Sequence, residues 1–152
     1  MKRIMIFTLS LILIAVPSLA DLAEAVEGHN RGCLASGATE ITGQPTIKDN
    51  HYIYQVSDHV NVHFSMDGDE IKSFSCVCLD ESGVGEFLAQ CVASFYNMGD
   101  LMAYVYCHDP VLSDFLDARS GREPKSNSSV NGLLFQMVKE SYGYTFIIVK
   151  VK

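Results

Sequence analysis

Two histidines and two cysteines, His59, His63, Cys76 and Cys78, stand on either side of an Asp67-Gly68 pair. Asp-Gly favours a tight hairpin turn, because its residues accept positive backbone angles at little cost. With a two-residue loop there, Phe64 lies opposite Ile71 and Val62 opposite Ser73. The other face then sets His63 beside Lys72, Asn61 beside Phe74 and His59 beside Cys76, with Cys78 next along the arm. Two imidazoles and two thiolates on one face suit zinc or copper. The set lacks the closed Cys-x-x-Cys pairs of strong zinc sites, and a one-residue slip in register would scatter it. The stronger account makes the histidines exposed strand residues and leaves the cysteines to the core or to disulfides.

Cys107-His108-Asp109 spells a nucleophile, a base and an orienting acid in a row. Adjacent side chains point in different directions, and working Cys-His pairs are assembled from distant segments, so the triplet is weak evidence for catalysis. Asp67, Asp69 and Glu70 supply too few ligands, at the wrong spacing, for a calcium loop. The chain has no nucleotide loop, serine-hydrolase elbow, zinc-protease helix or paired-carboxylate motif. Tyr52 with Tyr54, and Tyr104 with Tyr106, alternate on or beside expected strands, and each pair offers two phenols to one side. Tyrosine joins large contact area to a polar tip, so these four are candidates for a protein-binding surface; packing at a sheet edge is the competing account.

The chain opens with Lys2 and Arg3, runs apolar from Ile4 to Val16, and reads Pro17-Ser18-Leu19-Ala20 before Asp21. That order of charge, apolar run and small residues is the grammar of a cleavable signal peptide over residues 1–20. The run is shorter than the ~20 residues of a membrane span, and the remainder is expected to be exported, periplasmic or extracellular. Two of the eleven basic residues and none of the eighteen acids lie in the leader, which leaves residues 21–152 with a net charge of −9. Nucleic acid is a poor partner for such a chain, whereas a cationic protein suits it. The five cysteines, Cys33, Cys76, Cys78, Cys91 and Cys107, all lie in that part. Export makes two bridges and one spare thiol the default expectation.

These residues need elements to hold them. Residues 21–48 read as a short helix-like start followed by a Gly-rich surface segment pinned near Cys33. Alternation at Tyr52, Tyr54 and Val56, and again at Val60, Val62 and Phe64, predicts two strands, and Ile71 to Leu79 a third. Val84, Phe87, Leu88, Cys91, Val92 and Phe95 recur at spacings of three and four, which predicts one amphipathic helix with a break at Gly99-Asp100. Asp109-Pro110 reads as the cap and first turn of another short helix ending before Gly121. Ser120 to Ser129 reads as an exposed loop. Residues 130–142 fit helix or strand, with a lean to a hairpin whose second arm is Tyr144 to Val151. The sum is one α+β domain over 21–152, an antiparallel sheet of four or five strands with one main helix on one face. The expected function is a non-enzymatic protein-binding domain, such as an inhibitor or immunity-type protein of the periplasm. The alternative is a metal-binding or thiol-dependent protein using the His59 and Cys76 face.

Overall fold

The computed structural model describes residues 19–68, 70–122 and 127–151. The leader lies outside them but for its last two residues, as do Asp69 and residues 123–126 of the polar loop. In chain order the elements are α1 (Leu19–Ser36), β1 (Thr46–Lys48), β2 (His51–Ser57), β3 (Val60–Asp67), β4 (Glu70–Cys78), a 3-10 turn (Glu81–Gly83), α2 (Val84–Met98), α3 (Leu101–Arg119), β5 (Ser128–Val130), β6 (Leu133–Lys139) and β7 (Tyr144–Lys150). The strands form one antiparallel sheet in the order β1-β2-β3-β4-β7-β6-β5. The α+β class agrees with the sequence. Seven strands and three helices replace the four or five strands and one main helix expected from it.

Alternation decides which face of the sheet is buried. Tyr52 and Tyr54 of β2, Val60, Val62 and Phe64 of β3, Phe74, Cys76 and Cys78 of β4, Leu133, Phe135 and Met137 of β6, and Tyr144, Phe146 and Ile148 of β7 are all buried. Burying each large side chain is worth about 1.5–3 kcal/mol, so these rows fix the register. Phe87, Cys91 and Phe95 of α2 complete the same core, with Phe95 set edge-on to Phe135 at 5.3 Å between ring centres. The sheet's two outer strands, β1 and β5, are three residues each.

Four local expectations meet different outcomes. The break at Gly99-Asp100 is present: Gly99 ends α2, and the Asp100 carboxylate accepts the Ala103 backbone N–H at 2.8 Å to start α3. The hairpin over 130–151 is also present. Asn131 and Gly132, with φ of 46° and 77°, make the turn between β5 and β6. By contrast, Asp109-Pro110 starts no helix, because Pro110 lies inside α3. Its ring removes one hydrogen bond to the carbonyl of Tyr106, an exposed residue whose carbonyl can turn to water.

The N-terminal surface segment is the largest correction. Residues 19–36 form an 18-residue helix despite Gly28 and Gly32. A β-carbon at Gly32 would run into the Ala93 backbone carbonyl of α2, and one at Gly28 into the Asn97 amide. The two glycines are therefore the contact stripe that lets α1 lie against α2. Beyond α1, Asn30 exchanges two hydrogen bonds with the backbone of Ile41 (2.7 and 3.0 Å), which holds the following segment to the helix. No helix among the described residues is long and apolar enough to cross a membrane.

Candidate interaction surface

The hairpin does not gather His59, His63, Cys76 and Cys78. Asp67 pairs with Glu70, and a bulge between Ser65 and Met66 shifts the rest of the ladder, so that Phe64 faces Phe74, His63 faces Ser75 and Val62 faces Cys76. That changes parity relative to the expected pairing. The cysteines turn into the core while His63 stays on the opposite face with His51; partial burial, and to a lesser degree the charge of His51, holds the His63 imidazole below its ordinary range. His59 sits just before β3, with Nδ1 2.7 Å from Oδ2 of Asp80. That hydrogen bond holds the exposed Asp80 carboxyl below the usual range. Among the described residues, no three His, Cys, Asp or Glu side chains converge in a way that could hold a metal ion.

The tyrosine pairs do not share a surface either. Tyr52 and Tyr54 are buried beneath the helices, and Tyr104 is half-buried with its ring edge-on to those of Tyr96 and His108. Tyr104 and Tyr106 lie on a helix, where a spacing of two points side chains to different sides. Tyr106 alone of the four is exposed.

Where the sequence leads to an expectation of two disulfides, all five cysteines are separate buried thiols. Burial pushes Cys33 and Cys107 up to about 12 and Cys78 up to about 11. Cys91 is also held well above its ordinary range, by burial first and then by the nearby Cys76, Cys78 and Cys107. Thiolate is the reactive form. A thiol-reactive dye at neutral pH is therefore expected to label almost none of the native protein and five thiols per chain after denaturation without reductant. A count of one or three after denaturation would show that bridges form.

Sequence reasoning missed a buried polar pin between α1 and α2. Gln90 donates its amide hydrogens to the Thr39 carbonyl (2.7 Å) and to Glu86 Oε1 (2.8 Å), which leaves Oε1 of Gln90 facing His29 Nε2 at 2.7 Å. That oxygen can only accept, so Nε2 carries the proton and Nδ1 is bare. Among the described residues Nδ1 is buried without a partner, and the ring stacks on Phe74 at 4.8 Å and meets Phe64 edge-on at 5.6 Å. Burial lowers His29 from 6.5 to about 4, against the smaller opposing effect of the Gln90 hydrogen bond. The pin holds a neutral imidazole in place and has no opening to a substrate.

The exposed residues of α3 make a different kind of site. Ala103, Cys107, Val111, Phe115 and Ala118 face inward and are buried. Yet Leu101, Met102, Val105, Tyr106, Leu112 and Leu116 are 46–63% exposed, and they are six of the thirteen large apolar side chains exposed among the described residues. A surface helix of a self-contained protein keeps its outer face polar; one that is apolar all round is normally covered. At 100° per residue, Leu101, Val105, Leu112 and Leu116 fall within a stripe about 60° wide. Beside it, a groove of about 330 Å3 runs between α2 and α3, lined by Leu88, Val92, Val111 and Leu112, with His108 and Asp109 at its margin. Reading Asp109-Pro110 as a new helix start hides this stripe, because it divides one helix into two. The chain matches no family model, no curated protein and no solved structure.

Proposed function

We propose that this chain is an exported, non-enzymatic protein-binding domain that seats another protein on the outer ridge of α3. The observation that carries the reading is the apolar stripe Leu101, Val105, Leu112 and Leu116 on a helix whose opposite face is already committed to the core. Export is supported by the charged, apolar and small-residue order of positions 1–20. Inhibition or immunity in the periplasm is the form this takes if the partner is itself a secreted toxin or hydrolase.

A photo-crosslinking side chain placed at Val105 in the full-length chain, expressed in its own host, tests the reading. The expected result is one discrete heteromeric adduct from Val105 and none from a control position at Thr46 on β1. The identified partner, once purified, should bind the wild-type protein one-to-one and lose roughly tenfold or more in affinity to a Leu112→Glu variant. Equal crosslinking from both positions, or binding indifferent to Leu112→Glu, would remove α3 as the binding surface.

A further inference from the structure

Charge gives the occupant of this ridge a chemistry; the inference rests on the binding reading above. From Ser73 to Ala118 the chain contains seven acids and no Lys or Arg, so α2 and all but the last residue of α3 carry no cation; that last residue, Arg119, is paired with Glu81 at 3.4 Å. Several of those acids are engaged: Asp100 caps α3, Glu86 holds Gln90 and Thr39, and Asp114 accepts from Ser128. Asp109 is exposed beside the middle of the stripe and, among the described residues, makes no hydrogen bond or ion pair. We propose that the ridge takes a cationic amphipathic helix of another protein, with its apolar face on Leu101, Val105, Leu112 and Leu116 and a Lys or Arg against Asp109.

The geometry favours a helix as occupant. Leu101 to Leu116 spans about 22 Å, or four turns, and the groove beside Leu112 accepts one large apolar side chain from a partner laid along it. A second copy is a poor fit. Pairing two α3 ridges antiparallel about their common centre sets Asp109 beside the other copy's own Asp109, and His108 beside the other His108, with no cation to separate the carboxylates. Like charges so placed oppose association, whereas a cationic partner turns the same position into an attraction.

Two synthetic peptides of about 18 residues with one leucine pattern, flanked by Lys in one and by Glu in the other, separate these possibilities in calorimetric titrations of the full chain. The Lys peptide is expected to bind one-to-one, to weaken with salt, and to lose roughly tenfold in affinity with either Leu112→Glu or Asp109→Lys. The Glu peptide should bind only Asp109→Lys. Both substitutions fall on exposed side chains, so far-UV circular dichroism should be unchanged. Equal binding of both peptides to the wild type overturns the charge assignment. A concentration-dependent dimer in sedimentation, abolished by Leu112→Glu, overturns it in favour of a second copy. If neither peptide binds while Val105 still crosslinks to a foreign protein, the chemistry assigned here is wrong and the binding reading stands. If neither peptide binds and Val105 gives no adduct, both fall.

Discussion

Lowering the pH from about 7.5 to about 4.5 is expected to remove about 2.5 kcal/mol of folding stability through His29 alone. The folded imidazole titrates near 4 and the unfolded one near 6.5. Above 6.5 both states carry the neutral ring, and nothing is lost. As the pH falls below 6.5 the unfolded chain takes up a proton that the folded chain refuses, at about 1.4 kcal/mol per pH unit until the pH approaches 4. The folded chain refuses it for a geometric reason. The new N–H would form at Nδ1, which has no acceptor among the described residues and sits among Phe64 and Phe74, while Nε2 is already committed to Gln90. Urea unfolding at several pH values, for wild type and His29→Phe, checks this. The variant should start less stable, because Oε1 of Gln90 loses its imidazole donor and keeps only the longer Cys33 Sγ contact at 3.7 Å, but its curve should be flatter than wild type's by the stated amount. Parallel curves would mean that His29 is hydrated in the folded state.

Gly32→Ala should destabilise the protein by about 2 kcal/mol, whereas Gly85→Ala should stabilise it by about 0.5–1 kcal/mol. Both glycines lie in helices, and alanine improves helix propensity at each. They differ in what the β-carbon meets. At Gly85 there is open space within 4 Å; at Gly32 the obstacle is the Ala93 carbonyl, with the Tyr96 β-carbon at 3.1 Å behind it. Backbone of a packed helix cannot rotate away as a side-chain tip can, so α1 and α2 must separate. Separation also stretches the His29–Gln90 hydrogen bond and admits water. Gly32→Ala should therefore show a shallower acid dependence as well as a lower midpoint in chemical unfolding. Equal and opposite-free behaviour of the two variants, both stabilising, would show that the helices have slack.

Local chemistry was the legible part of this fold. Alternation in β2, β3 and β4, the three-and-four spacing of α2, the break at Gly99-Asp100 and the hairpin of β6 and β7 each rest on residues within a few positions of one another. What stayed hidden depends on distant contacts. Gly28 and Gly32 read as helix weakness until α2 is placed against them, and Pro110 reads as a start until the turns on both sides are seen to be packed. The bulge at Ser65 and Met66 has no signature in composition, yet it alone decides that Cys76 faces the core while His63 does not. β1 and β5 are too short to show a period. The candidate surface was half visible: Leu112 and Leu116 fall in the short helix read after Asp109-Pro110, but only a continuous α3 joins them to Leu101 and Val105 and shows that the inward face is already full.

The brevity of β1 and β5 bears on how this protein survives at high concentration. A sheet with long bare margins recruits further strands without limit, and fibrils grow that way. Here each margin offers only three residues of backbone, and β1 follows Pro45 and ends in Lys48, both poor templates for an incoming strand. Open-ended stacking is thus opposed at both margins, and the ridge proposed above as a binding surface is a helix of finite length. A molecule built this way can be strongly adhesive and still form complexes of fixed size.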